Sequence, residues 1–144
     1  MIFKPYFATA TIAATLLATL LATLLGSATM AASYKCDFKD GHRRSAVPPE
    51  VIVLVSADGQ SAQVVDSISH GRKMDPTQAK FFKNTSDRLR VRWTLKDVIS
   101  SSGQKATLNF SLTYQKGNGK AFLNMDIPGY GNTESGNGRC ALRN

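Results

Sequence analysis

Hydrophobic and polar residues alternate with a period of two along the second half of the chain. The clearest segment is 88–96, in which apolar residues such as Leu89 and Val91 alternate with basic or polar ones. Segments 104–114 and 120–127 show the same alternation. Because successive side chains of a β-strand point to opposite faces, this pattern predicts three strands, each with one buried face.

Short polar segments rich in Gly, Ser and Asn separate these three strands. Residues 100–103 lie between the first and the second strand, and residues 116–119 lie between the second and the third. Gly and Asn tolerate the positive φ angles that tight hairpin turns require. The three strands are therefore predicted to form an antiparallel meander.

The first half of the chain carries the strand signal less regularly. Residues 33–39 predict an opening strand, and residues 51–55, which are apolar on both faces, predict a central strand. The pair 58–59 is a strong hairpin turn, from which 60–68 returns as a further strand. A short closing strand is predicted around 138–142.

Two segments do not alternate. Residues 75–83 predict a short helix, because Asp75 suits the N-cap, Pro76 the first helical position and Gln78 the capping box. Residues 128–138 are rich in Gly and Asn and predict a loop. The whole pattern predicts an all-β domain: a small antiparallel β-sandwich or β-barrel of six to seven strands with one short helix.

The N-terminal segment has the order of charged, apolar and small residues found in a secretory signal. Lys4 precedes the uncharged stretch 7–25, small residues follow it, and cleavage is predicted within 28–32. An uncleaved membrane anchor is the alternative, because about 20 apolar residues span a bilayer. Repeated Thr and Ala make this stretch weakly apolar, which favours cleavage. The predicted organisation is a signal peptide over 1–31 and a single β-rich domain over 32–144.

The sequence contains two cysteines, Cys36 and Cys140, near the two ends of the predicted domain. In an oxidising compartment, two cysteines in one small domain most simply pair, so a disulfide that closes the domain is predicted. A redox or metal-binding role would require a CxxC spacing or neighbouring histidines, and neither accompanies these cysteines. No further apolar span follows the signal, so no stable membrane span is predicted after cleavage. The predicted location is periplasmic or extracellular.

The chain is basic, with 18 Lys and Arg against 10 Asp and Glu and a formal net charge of +8. Because only Lys4 leaves with the predicted signal, the remaining domain carries one charge less, +7. This charge is most concentrated on the polar face of segment 88–96. The residues concerned are Arg88, Arg90, Arg92 and Lys96.

This basic stripe has three interpretations. It can be a solvated face with Asp66 or Asp126 as cross-strand partners, since adjacent like charges otherwise repel. It can protect an exposed edge strand from pairing with other chains. It can bind an anionic envelope component or an acidic partner protein. Nucleic acid is disfavoured as a partner, because it would favour exposed aromatic side chains on the same face, and Trp93 points the other way.

No motif for catalysis, metal binding or nucleotide binding stands out in the sequence. The histidines are His42 and His70, each beside a glycine in a predicted loop, whereas a metal site needs three or four converging ligands. There is no G-x-S-x-G elbow and no P-loop. The protein is therefore predicted to be non-enzymatic, without metal or cofactor.

The segment 128–138 is a second candidate binding element, because small binding domains commonly carry function on loops. Its Tyr130 can contact a partner or pack back on the end of the sheet. The alternative to anion binding is therefore a protein-binding module, or an inhibitor of an envelope enzyme, that uses this loop.

Several short motifs resemble those of a set of uncharacterised small exported bacterial proteins, and the similarity covers most of the predicted domain. The motifs are segments 34–36, 48–51, 89–93, 129–132 and 135–140. A looser similarity is to periplasmic lysozyme inhibitors, which are small β-barrels with a Tyr-x-Cys near the mature start. Their serine- and lysine-bearing inhibitory loop has no counterpart here, and basic lysozymes would repel a basic domain. The shared motifs are structural and imply no activity.

Overall fold

The structure is a computed structural model that describes residues 30–39, 47–71 and 76–143. Within these ranges the chain forms nine β-strands and one short helix. In chain order they are β1 (Met30–Phe38), β2 (Glu50–Ser56), β3 (Ala62–Asp66), α1 (Ser67–Gly71), β4 (Thr77–Gln78), β5 (Phe81–Asn84), β6 (Arg88–Ile99), β7 (Lys105–Gln115), β8 (Lys120–Ile127) and β9 (Asn132–Arg143). The predicted signal peptide lies almost wholly outside the described residues, and its cleavage stays a prediction.

All nine strands belong to one antiparallel sheet in the order β4-β3-β2-β1-β9-β8-β7-β6-β5. The two end strands, β4 and β5, are separated in sequence by Ala79 and Lys80 alone. The amide of Ala79 donates to the carbonyl oxygen of Ala62 on β3 at 2.9 Å, and the amide of Lys80 donates to that of Arg92 on β6 at 2.8 Å. One short segment thus reaches both ends of the sheet, which curves into a half-barrel.

The all-β class is confirmed, whereas six to seven strands are too few. The predicted meander is also confirmed, since β6, β7 and β8 pair in sequence through turns at 100–103 and 116–119. Gly103 and Gly119 take φ angles of +81° and +73° in these turns. Local alternation and turn chemistry therefore predict this part of the sheet correctly.

The predicted helix at about 75–83 is wrong. Residues 77–78 and 81–84 are the strands β4 and β5, which pair with β3 and β6, and the proposed cap Asp75 lies outside the described residues. A helix cap is worth about 1 kcal/mol, and backbone pairing on both sides of this segment outweighs it. The short helix α1 forms earlier in the chain, within the region that was predicted to end a strand.

The predicted loop over 128–138 is wrong for most of its length. Residues 128–131 form a turn, and β9 begins at Asn132 and pairs with both β8 and β1. Glycines in a strand often mark a place where other atoms approach closely. A Cβ atom on Gly138 would overlap the carbonyl oxygen of Asp37 and lie 2.7 Å from Cδ1 of Phe38. Gly138 therefore reflects close packing of β1 on β9, whereas Gly129 and Gly131 take positive φ angles in the turn.

Replacement of Gly138 by alanine is expected to destabilise the protein by about 1–3 kcal/mol, because the added methyl group must displace the backbone of β1. Gly117→Ala is the matched control, since a Cβ atom at that turn position meets nothing within 4 Å. Urea unfolding of both variants measures the difference. Equal effects of the two substitutions would show that β1 and β9 do not approach so closely.

The hydrophobic core lies on the inner face of the curved sheet. Leu89, Val91 and Leu95 of β6 are at most 1% exposed, as the period-two alternation predicts. The ring of Trp93 stacks on that of Phe110 of β7, with centroids 4.9 Å apart and an interplanar angle of 11°. Each such buried side chain contributes about 1.5–3 kcal/mol, so β6 and β7 anchor their part of the sheet.

The predicted disulfide is confirmed. Cys36 and Cys140 lie directly opposite each other on β1 and β9, with Cα atoms 4.0 Å apart, and are bonded. Disulfides persist in oxidising compartments, so this bond indicates a location outside the cytoplasm. In the part of the chain that the structure describes, no helix is both long enough and apolar enough to cross a membrane.

Candidate functional site

The outer face of the sheet carries two rows of side chains that run across β5 to β9. In each row, every residue lies opposite the next one on the neighbouring strand. The first row is Lys83, Arg90, Thr113, Phe122 and Asn137. The second row is Phe81, Arg92, Ser111, Asn124 and Ser135. Because adjacent strands lie about 4.8 Å apart, each row forms a continuous strip of surface.

Three of the predicted binding residues, Arg88, Arg90 and Arg92, are exposed on this outer face. Lys83 of β5 lies opposite Arg90 and joins them; these four residues are termed the basic face. Lys83, Arg88 and Arg90 line a surface cleft of about 260 Å³. Sequence reasoning missed Lys83 because it assigned β5 to a helix.

No ion pair neutralises the basic face within the described ranges. The salt bridges found there join Lys35 to Asp37 and Glu50, and Lys105 to Asp97. The hydrogen bonds that Lys35 donates to Glu50 and Asp37 raise the pKa of its ammonium group. These two carboxylates are therefore engaged away from the arginines.

The two acids that were suggested as cross-strand partners of the stripe have other partners. Asp126 accepts a hydrogen bond from Nδ2 of Asn109 at 3.2 Å, and Asn109 in turn accepts one from Thr94 at 2.8 Å. Asp66 was expected on the outer face but is only 2% exposed and points inward. Neither carboxylate forms an ion pair with an arginine of the basic face, although Asp126 lines one cleft together with Arg92.

Asp66 organises the interior at the junction of β3 and α1. Its Oδ2 accepts the indole N–H of Trp93 at 3.0 Å. Its Oδ1 accepts the backbone amides of Ile68 at 2.9 Å and Ser69 at 2.8 Å. The carboxylate thus caps the helix and provides a partner for a buried indole, which is a structural role.

Two exposed phenylalanines border the basic face, and sequence reasoning missed both. Phe81 is 42% exposed, and the guanidinium carbon of Arg92 lies 5.4 Å from its ring centroid. Phe122 is 37% exposed and lies two strands from Arg90 in the same row. A guanidinium stacked on a ring keeps its N–H groups free to point at an anion.

Lys96, the fourth predicted binding residue, is exposed but stands apart from the basic face. Thr94 separates it from Arg92 along β6, and it lies within a β-bulge. The neighbouring Asp97 in this bulge has a φ of +53°, and its carboxylate lies 3.7 Å from Nζ of Lys105. The bulge therefore places Lys96 beside an acidic residue and away from the three arginines.

Tyr130 lies in the 128–131 turn and is 59% exposed. It borders a small cleft of about 150 Å³ together with Ser100 and Gln104 of the turn after β6. Arg88 begins β6, at the other end of the strand. The structure therefore does not bring the two predicted binding elements together.

A second group of basic residues lies across the outer face, on β8, on β9 and directly after β1. Lys39, Lys120 and Arg139 line a cleft of about 370 Å³ together with Phe122; these three residues are termed the second basic cluster. Nη2 of Arg139 donates to the carbonyl oxygen of Asn118 at 3.1 Å. No local sequence pattern marks this cluster, because its members come together through strand pairing alone.

Metal-binding and thiol chemistry find no support among the residues that the structure describes. No three His, Cys, Asp or Glu side chains converge there, and no free cysteine is found. His42 lies outside the described residues. The chemistry that the outer face offers is therefore that of guanidinium and ammonium donors beside aromatic rings and small polar groups.

Comparison with known proteins gives no match to a protein-family model, to a curated protein or to a solved structure. The resemblance to small exported bacterial proteins and to lysozyme inhibitors therefore stays a prediction.

Proposed function

We propose that this protein is an exported, non-enzymatic β-domain that binds an anionic component of the cell envelope through its basic face. The observation that carries the proposal is the set of exposed arginines on β6, which have no carboxylate partner among the described residues. Adjacent like charges on a strand repel one another. A bound anion would relieve this repulsion, so the arrangement favours an anionic ligand.

The geometry of the basic face suits phosphate or carboxylate groups. Guanidinium groups bind both anions through paired N–H donors, which adds directionality to charge. Arg88 and Arg90 share one cleft with Lys83, so several donors can converge on one anionic group. Arg92 stands beside them, steadied by the ring of Phe81.

The compartment supports an envelope partner. The Cys36–Cys140 disulfide indicates a non-cytoplasmic location, and residues 1–31 predict export. Anionic groups available outside the cytoplasm include lipid phosphates and acidic glycans, and the basic face attracts both.

A second candidate function is a protein-binding module that uses the 128–131 turn. The observation that favours it is the exposure of Tyr130 beside a small cleft. The turn is only four residues long and carries no charge, so it offers less recognition chemistry than the basic face. The anion-binding proposal therefore ranks first.

A pull-down from the envelope fraction of the source organism tests the proposal. The R88Q/R90Q/R92Q variant is expected to capture its partner with affinity reduced about tenfold or more, because charge-assisted hydrogen bonds are lost. K105Q/R143Q, which removes two positive charges rather than three, is the control for non-specific charge loss, since Lys105 and Arg143 are exposed away from the basic face. Full capture by the triple variant, together with loss of capture by Tyr130→Ser, would favour the second candidate and reject the first.

A further inference from the structure

We infer that the ligand is an extended acidic polysaccharide that lies across the outer face from the basic face to the second basic cluster. This inference rests on the proposed function and names its ligand class. The path between the two groups is termed the track. It runs over Thr113 of β7 and Phe122 of β8.

The spacing of the two basic groups argues for a chain-like ligand. Arg88 and Arg90 stand on β6, and Arg139 stands on β9, three strands away in the sheet. Three strand spacings correspond to about 14 Å. A polymer with repeated charges can contact all members of both groups at once, whereas a single phosphate or carboxylate can contact at most the side chains that reach toward it, such as Arg88 and Lys120 two strands apart.

The charge along the track is positive at both ends. The first cleft holds Lys83, Arg88 and Arg90 with one carboxylate, that of Asp87. The second holds Lys39, Lys120 and Arg139. Asp37 lies opposite Arg139 on β1, but its carboxylate is 3.3 Å from the ammonium group of Lys35. Basic side chains thus outnumber carboxylates at both ends, which matches a ligand with separated negative charges.

The surface between the two ends suits sugar rings. Thr113 supplies a hydroxyl group on the track itself. The row that contains Arg92 flanks the track on the side away from the second basic cluster, and there Asn124 and Ser135 add an amide and a hydroxyl that already pair with each other at 2.8 Å. Such groups donate to and accept from sugar hydroxyls. Phe122, 37% exposed, offers a flat apolar surface on which the C–H face of a sugar can pack.

The same surface fits the other polyanions less well. Single-stranded nucleic acid is held by aromatic side chains on which successive bases stack, and between the two basic groups the track offers only Phe122. A membrane presents its headgroups in a plane, whereas the outer face of a half-barrel is convex. A linear polysaccharide can follow a convex surface, and it is found outside the cytoplasm.

The affinity for a uronate polymer, compared with that for its monomer, distinguishes binding along the track from binding at a single anion site. The purified, oxidised protein is titrated at low salt with polygalacturonate, with galacturonate monomer and with neutral dextran. We expect the polymer to bind far more tightly than the monomer, and dextran not to bind. K120Q/R139Q is expected to weaken polymer binding about tenfold. It is also expected to reduce the slope of log affinity against log salt by about two, because the loss of two ionic contacts means that about two fewer counterions are released on binding.

Two further variants sharpen the comparison. Phe122→Ala is expected to weaken polymer binding several-fold without changing the salt slope, because it removes packing and no charge. K105Q/R143Q is the charge-matched control for K120Q/R139Q. At about 0.15 M salt it is expected to leave the affinity within about twofold of the wild-type value, since exposed charges farther away than the Debye length of about 8 Å are screened.

Several outcomes would overturn the inference. If R88Q/R90Q/R92Q weakens polygalacturonate binding while K120Q/R139Q behaves like its control, the basic face binds anions but the track does not exist. If phosphatidylglycerol vesicles bind and polygalacturonate does not, the ligand class is wrong and the proposed function stands. If single-stranded oligo-dT is the one probe that binds, both the ligand class and the envelope partner are wrong. If none of these anionic probes binds at low salt, the proposed function fails as well.

Discussion

Removal of the Cys36–Cys140 disulfide is expected to destabilise the protein by about 2–5 kcal/mol. The bond joins residues 104 positions apart and links β1 to β9, which are the first and last strands along the chain and neighbours in the sheet. A loop of about a hundred residues corresponds to roughly 4–5 kcal/mol in the chain-entropy account of disulfide stabilisation. For a domain of this size, each kcal/mol corresponds to a melting temperature lower by about 4–8 °C.

The measurement compares three samples in urea unfolding: the oxidised protein, the same protein under reductant, and C36A/C140A. The double variant avoids leaving a single free thiol that could form intermolecular bonds. Reduced protein and C36A/C140A are expected to show similar losses, with the variant slightly less stable because Cys36 is fully buried. A loss below about 0.5 kcal/mol, the size of an ordinary surface substitution, would contradict the account.

Replacement of Asp66 by alanine is expected to destabilise the protein by about 2–4 kcal/mol. It removes the cap of α1, at about 0.5–2 kcal/mol, and leaves the buried indole N–H of Trp93 without its partner, at about 1–3 kcal/mol. Trp93 is the single tryptophan of the chain, so its fluorescence reports both the unfolding transition and the local environment.

Asp66→Asn and Asp126→Ala serve as comparisons. In Asp66→Asn, the amide oxygen can still accept the backbone N–H groups of Ile68 and Ser69, so the loss of stability should be smaller than for Asp66→Ala. Some loss is still expected, because the side-chain NH₂ group then faces the indole N–H of Trp93 and cannot accept its hydrogen bond. Asp126 is exposed and bonded to Asn109, and its replacement should cost at most about 0.5 kcal/mol. Equal effects of the alanine substitutions at 66 and 126 would reject the structural role of Asp66.

The parts of the fold that sequence patterns predict correctly are those set by neighbouring residues. In β6, apolar residues such as Leu89 and Trp93 alternate with basic or polar ones up to the bulge, and Gly119 marks the hairpin between β7 and β8. Both signals act within a few residues, so they are visible without knowledge of the partner strands. The same alternation correctly predicts that Arg88, Arg90 and Arg92 share the exposed face of β6.

The errors arose where long-range pairing or close packing decides the structure. The segment 75–83 carries helix-capping residues, but the two strands that it pairs with come from residues 62–66 and 88–99. The glycines of 128–138, Gly138 among them, suggested a loop. Gly138 is required because β1, about a hundred residues earlier in the chain, leaves no room for a side chain at this position. Neither partner is visible from the local sequence.

Asp66 shows a signal that was present and misread. It continues the inward alternation of Ala62 and Val64, and period two alone would have placed it inside the half-barrel. It was expected on the outer face, but the indole of Trp93 and two backbone amides supply the hydrogen bonds that a buried carboxylate requires. Hydrogen-bond partners of this kind cannot be identified before the fold is known.

The basic face could be predicted in part, and the second basic cluster could not. Arg88, Arg90 and Arg92 lie on one strand and share one face, whereas Lys39, Lys120 and Arg139 come from β8, β9 and the end of β1. Charge that is spread over three segments leaves no local signature in the sequence. The three basic residues come together only when β8, β9 and β1 pair in the sheet.

The salt dependence of anion binding tests the central claim most directly. Wild type, R88Q/R90Q and the charge-matched control K105Q/R143Q are titrated with polygalacturonate and with phosphatidylglycerol vesicles over a series of salt concentrations. The account predicts that wild-type affinity for at least one probe falls steeply with salt, and that R88Q/R90Q lowers the log–log slope by about two while the control does not. Binding that is independent of salt, or equal slopes for R88Q/R90Q and the control, would contradict the assignment of the basic face as the anion-binding surface.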